Sequence, residues 1–345
     1  MRPLVQKAHT RPVTCVRFNA DGDLIFTAGK DNLVSCWRAA NGSFLGFYKG
    51  HEGAVHSVDC TTNSKHIISG SADRTVRIWQ TQTGKELSSV TLKAPIRCVE
   101  FASGDVNFLA VQTNDMKQEP FVFVFSFAQY EGEEVPKCAL SLQIGPFVRR
   151  INVASWGPEN KTILAGDENG DLFVCDSTSG EVLHTVKAHL QAINDIHFSQ
   201  DRTHFVTASS DNSIKLWDCT ELPPTSIRTF KTSVPMNTAA LSPIRCHVGG
   251  GGGMEAAHVT VSYNADVADK FTARFWDTVY GDFLGEIKTH FGPMHSLRFS
   301  PTGDSFVTGA EDGYSRLHYF DESYFVDMER ERAELAVESD EEEEQ

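Results

Sequence analysis

The sequence is short of basic residues, of clustered cysteines and of long apolar runs, and each shortage removes a class of function. Lysine and arginine number 31 against 46 acidic residues, a net charge of −15. Nonspecific binding to nucleic acid draws most of its affinity from a basic surface, so no direct nucleic-acid binding is expected. The eight cysteines (Cys15, Cys36, Cys60, Cys98, Cys138, Cys175, Cys219, Cys246) form no C-x-x-C pair. Several lie in apolar strand patterns, where free Cys behaves as a small hydrophobe. No disulfide framework and no zinc or other metal site is expected, and a reducing compartment fits. The start, MRPLVQKAHT, lacks an apolar signal core, and no segment approaches a membrane span. The expectation is a soluble, cytoplasmic chain without membrane contact. Asn41-Gly-Ser43 and Asn160-Lys-Thr162 match the glycosylation pattern, but without a secretory signal they read as chance matches.

What is present is repetition. Four sets of residues share one internal spacing: His9, Thr27, Asp31 and Trp37; His51, Ser69, Asp73 and Trp79; His189, Thr207, Asp211 and Trp217; and His290, Thr308 and Asp312, with His318 at the Trp position. In each set His precedes Asp by 22 residues, Ser or Thr precedes it by four, and the aromatic follows it by six. This is the signature of WD-repeat propeller blades. A blade packed between neighbours buries its polar groups, which must then be paired. The Trp indole N–H can donate to the hydroxyl, the hydroxyl to one imidazole nitrogen, and the other imidazole N–H to the Asp carboxylate. That carboxylate also accepts backbone N–H groups in its own turn.

A second marker extends the count. Gly42 and Gly84 follow the Trp position by five residues, as a turn with positive φ requires. Gly180 stands in the same relation to Cys175 and Gly281 to Trp276, which marks two further blades. One of these has Ala165 and Asn169 in place of Ser and Asp, and the other carries an insertion after LSPIRCHV. His51 and His189 are 138 residues apart, room for three blades, so another blade belongs near residues 92–142. The expected fold is an all-β, seven-bladed propeller over residues 1–326, its ring closed by a strand near Arg2 to Gln6 added to the last blade. Residues 327–345 hold ten acidic and two basic residues and read as a disordered, acidic tail. Ser339, followed by Asp-Glu-Glu, is a candidate phosphorylation site.

The repeated His, Ser/Thr and Asp resemble hydrolase triads only superficially, because four buried copies capped by Trp read as structural. No catalytic residue and no cofactor is expected. The glycine run 249–253 lacks the Lys-Ser/Thr of a phosphate loop and is read as a flexible or close-packed turn. FVFVFSF, Phe121 to Phe127, would aggregate if exposed and is read as a central or partner-covered strand.

Particular stretches go further than the generic repeat. HFGPMHSLRFSPTGDSFVTGAEDGYSRLHYFD, His290 to Asp321, resembles the last blade of the family of subunit I of eukaryotic translation initiation factor 3, which also has His at the position of His318. GDLIFTAGKD, KHIISGSAD, INDIHFSQDRTHFVTASSDN and MNTAALSP are similar to the same family, as is the glycine-rich segment before Met254 followed by KFTARF. The likeness runs from about Arg2 to Val326 and departs at 115–137, at the extra glycines and in the tail. It implies a non-catalytic scaffold subunit that binds the large scaffold subunit b and subunit g, and reaches the small ribosomal subunit through the complex. Subunit b would dock mainly on the fifth and sixth blades. Phe230, Pro235 and Met236 are candidates for its apolar seat there, with Asn237 offering hydrogen bonds. The alternative is another WD-repeat adaptor, in a signalling or ubiquitin-ligase complex.

Overall fold

The computed structural model describes residues 3–114, 118–128, 136–253, 271–321 and 324–325. Among these, 28 strands form seven four-stranded antiparallel sheets. Blades 1 to 6 are consecutive hairpins spanning residues 13–48, 55–91, 96–144, 151–187, 193–231 and 236–288. Blade 7 is made from both ends of the chain. Strand Leu4–Gln6 pairs with Ser315–Tyr319, beside Ser305–Ala310 and Met294–Phe299. The seam is held by three residue pairs, by Ser315 Oγ donating to Gln6 Oε1 at 2.8 Å, and by Tyr319 Oη donating to the Ala39 carbonyl of blade 1 at 2.9 Å.

Burial follows from position within a blade. Second strands such as HIISGS (His66–Ser71), TILAGD (Thr162–Asp167) and SFVTGA (Ser305–Ala310) are buried at every residue, because neighbouring blades cover both faces. Outermost strands alternate instead, as in Val182–Lys187, since one face meets water. The turn glycines Gly42, Gly84, Gly180 and Gly281 all have φ between +66° and +83°, the left-handed region that glycine tolerates best.

The glycine run is not a turn. His247–Gly252 is the second strand of blade 6, with Val248–Gly252 paired to Met236–Leu241 around a bulge at Asn237. Glycine weakens isolated strands, but here space decides. A Cβ on Gly250 would lie 2.3 Å from Ile214 Cδ1 of blade 5, and one on Gly251 would lie 2.1 Å from Met294 Sδ of blade 7. Phe121–Ala128 is the third strand of blade 3, paired on both sides, with Phe123, Phe125 and Phe127 buried. At the far end of the chain, Tyr324 stacks on Phe320 at 4.1 Å, and its carbonyl accepts a hydrogen bond from Arg245 of blade 6. The tail 327–345, with Ser339, lies outside the described residues, as does most of the blade-6 insertion.

Candidate functional site

The blades fall into two chemical kinds. In blade 2, Trp79 Nε1 donates to Ser69 Oγ at 2.8 Å, Ser69 Oγ lies 2.7 Å from His51 Nε2, and His51 Nδ1 lies 2.8 Å from Asp73. Asp73 also accepts from the Glu52 and Thr75 backbone N–H groups and from the Thr75 hydroxyl. Burial alone would raise the Asp73 carboxyl, but hydrogen bonds from His51 and Thr75 outweigh it and hold it well below the usual carboxylate range. Blade 5 repeats the arrangement through His189, Thr207, Asp211 and Trp217. Blade 1 does so through His9, Thr27, Asp31 and Trp37, and Ser35 joins its hydroxyl, a participant that the repeat spacing does not reveal. In blade 7, His290 reaches Asp312 at 3.0 Å and Thr308 at 2.8 Å, while His318 makes no such bond.

Blade 4 lacks this chemistry altogether. The positions of His, Ser, Asp and Trp hold Phe147, Ala165, Asn169 and Cys175, and the first, second and fourth pack in one apolar cluster. Its turn is held by another carboxylate. Asp167 Oδ1 accepts from the Asn169 and Asp171 backbone N–H groups at 2.9 and 2.8 Å. In blade 3, Phe125 takes the Trp position and stacks on Phe108 at 5.1 Å. Neither Cys175 nor Phe125 supplies the indole N–H of the other blades, and Asn169 donates its amide to Asp171 at 3.0 Å.

Around the central channel, polar side chains join blade to blade. Each first strand carries a bulge at its second residue, which re-aims that side chain. Thr14 donates to the Val55 carbonyl at 2.6 Å, Asn152 to Ile193 at 3.1 Å, Asn194 to Met236 at 2.9 Å and Asn237 to Met294 at 2.9 Å, always into the next blade. One tier below, Arg298 of blade 7 grips Asp195 of blade 5 through two 2.8 Å bonds, and Thr238 of blade 6 bridges them. Thr14, Asn152, Asn194, Asn237, Asp195 and Arg298 border a channel cavity of about 570 Å³. The repeat carries a signal for the upper tier, a residue five after each His position, but only the bulge gives that offset meaning. Among the described residues, no group of three or more His, Cys, Asp or Glu could hold a metal ion, and no helix is long and apolar enough to cross a membrane.

The expected partner seat requires correction. Met236 is 1 % exposed and Phe230 3 %, both in the cluster that joins blades 5 and 6, where Phe230 packs on Trp276. Asn237 uses its amide on blade 7, and Pro235 is half-buried at the channel mouth. Residue type suggested an apolar surface, but the packing of blade 5 on blade 6 covers Phe230 and Met236, and the bulge aims Asn237 at blade 7. The exposed apolar surface of blades 5 and 6 lies on the outer rim instead. Phe283 is 55 % and Tyr280 77 % exposed, with Ile227, Val279 and Leu284 also exposed. Arg228 of blade 5 ties the two rims together by donating to the Tyr280 and Val279 carbonyls at 2.8 and 2.6 Å.

Comparisons with known proteins place this geometry. The family described as EIF3I matches residues 1–329. Eukaryotic translation initiation factor 3 subunit I of Taeniopygia guttata is 41 % identical over 328 residues, 94 % of this chain and 98 % of that protein. The Homo sapiens protein of the same name is 41 % identical over 325 residues, with the same coverage. The crystal structure of the Cps50 (Swd1) β-propeller domain of Myceliophteria thermophila superposes with a TM-score of 0.73, covering 92 % of this chain and 99 % of that one. At 16 % identity this last likeness concerns the fold alone.

Proposed function

Since the chain belongs to the family of subunit I of eukaryotic translation initiation factor 3, a non-catalytic component of that factor, we propose that it acts as a cytoplasmic scaffold binding subunits b and g. Through them it joins the assembly on the small ribosomal subunit. The observation that carries this reading is the contrast between interior and rim. The His, Ser/Thr and Asp groups of the repeats are consumed in buried networks, while the outer rim of blades 5 and 6 exposes large apolar side chains. The outermost strand Phe283–Lys288 carries Phe283 and Leu284 beside Val279 and Tyr280, and Arg228 fixes this edge against blade 5. Exposed aromatic and aliphatic groups on a rigid support are what a docking helix or strand of a partner requires.

The test pairs two rim variants, Tyr280→Asp and Leu284→Asp, with a thermal melt and a pull-down by the C-terminal segment of subunit b. Both should melt like the parent chain and lose binding by more than about a hundredfold, equivalent to ~2.7 kcal/mol. A folded Tyr280→Asp chain that binds normally moves the seat elsewhere. Affinity purification of the intact chain checks the wider claim. Recovery of a receptor or ubiquitin-ligase complex, without other initiation factor 3 subunits or the small ribosomal subunit, would refute it.

A further inference from the structure

We propose that His318 makes blade 7 an acid-sensitive latch: a proton on its imidazole releases the pairing of Leu4–Gln6 with Ser315–Tyr319 while the remaining blades stay folded. His318 occupies the position that Trp37, Trp79 and Trp217 hold in blades 1, 2 and 5. It is 1 % exposed and lies flat on Phe306, with ring centroids 4.7 Å apart and planes within 2°. Both of its ring nitrogens are buried without a hydrogen-bond partner. A buried imidazole in this condition is held only by stacking and packing, and charging it would add a desolvation cost with nothing to offset it.

The surroundings sharpen the point. Without a Trp donor, Thr308 Oγ1 lies 2.8 Å from His290 Nε2 and 3.4 Å from the Arg316 carbonyl. His290 Nδ1 lies 3.0 Å from Asp312 and beside the Arg316 guanidinium, which itself donates to Asp312 at 2.9 Å. Among the described residues, the charged and titratable groups near His318 are Arg316 on its own strand, His290 from the loop before Met294–Phe299, and Asp312 from the turn between the last two strands. The one carboxylate among them is committed to Arg316, His290 and the Tyr314 backbone N–H. Phe306 and Thr308, on the neighbouring strand, offer no charge. Burial, followed by His290 and Arg316, pushes the His318 imidazole down to about 4 from an ordinary value of 6.5. A group depressed in the folded state stabilises it fully above pH 6.5, and that contribution is lost as pH falls toward 4. The seam is where the loss acts, because the closing strand is three residues long and is the one strand that the N-terminal end contributes to the sheet.

Hydrogen exchange followed by mass spectrometry, corrected for the intrinsic pH dependence of exchange, tests this at pH 7.5 and pH 5. Protection of Leu4–Gln6 and Ser315–Tyr319 should fall more than tenfold relative to Val55–Gln80 of blade 2. His318→Phe, which keeps the stacked ring but cannot be charged, should abolish that fall. Equal pH dependence in parent and variant, or simultaneous opening of blade 2, would overturn the latch. Should His318→Phe fail to fold, titration of the His318 imidazole by NMR in the parent chain decides the matter. A midpoint below about 5 supports the proposal, and one near 6.5 refutes it.

Discussion

Blades 2 and 4 have the same strand order and nearly the same strand lengths, yet they are built from opposite chemistry. Blade 2 buries an imidazole, a hydroxyl, an indole and a carboxylate that satisfy one another. Blade 4 replaces all four, by Phe147, Ala165, Asn169 and Cys175, and keeps three of them in an apolar cluster. A buried polar network is stable when complete, an apolar substitute of similar shape can be nearly neutral, and a partial network leaves groups stranded. The positions therefore change together. Blade 7 shows the intermediate case, in which one exchange, Trp to His318, strands two ring nitrogens.

The largest way to break this comparison is to place one polar member in the apolar blade. Phe147→His would bury an imidazole opposite Ala165, with no hydroxyl to meet it, and should cost about 3 kcal/mol or more. Adding Ala165→Ser should recover about 1 kcal/mol, read as a partial return of the denaturant midpoint. No recovery would mean that blade 4 has lost the shape of the network as well as its groups.

The converse change, Asp73→Ala in blade 2, strips partners from His51, Glu52 and Thr75 and should cost about 2–3 kcal/mol at pH 7. Because the Asp73 carboxyl is held low in the folded chain, its advantage over alanine exists above the unfolded value near 4 and declines as pH falls below it. The gap between melts of the two chains should therefore be narrower at pH 3 than at pH 7, and a constant gap would assign the loss to packing.

Gly250→Ala probes blade 6, where a glycine stands in the second strand with neither network nor bulk at its position. Its Cβ would meet Ile214 and Met236 at 2.3 and 2.9 Å, and the expected cost is about 1–2 kcal/mol. A neutral result would show that blades 5 and 6 can separate slightly without loss. The smallest effect is expected for Asn237→Ala, which removes one hydrogen bond into blade 7, worth about 1 kcal/mol, and should leave association with subunit b unchanged. Lost association in a folded Asn237→Ala chain would return that residue to the partner surface.

Sequence legibility tracked the polar networks. Where His, Ser or Thr, Asp and Trp recur, their spacing located the blade and named its hydrogen bonds, down to the turn glycines with positive φ. Blade 3 offered no such markers, since Phe125 on Phe108 differs from any other apolar pair only by position, so its register was unreadable. Residues 249–253 were misread because glycine weakens isolated strands, whereas between Ile214, Met294 and Pro235 nothing larger fits. Phe230 and Met236 were misjudged for a similar reason, because an apolar side chain does not declare which neighbour will cover it.

The sequence by itself determined the seven-blade count, the closure by the first strand and the networks of blades 1, 2 and 5. These rest on hydrogen bonds and turns within one blade, whose partners stand at fixed offsets along the chain. Tertiary structure alone decided which side chains face the next blade, the channel or water. Those contacts join residues on different blades, such as Arg298 with Asp195 or Arg228 with Tyr280, and depend on how bulged strands are aimed after the ring has closed.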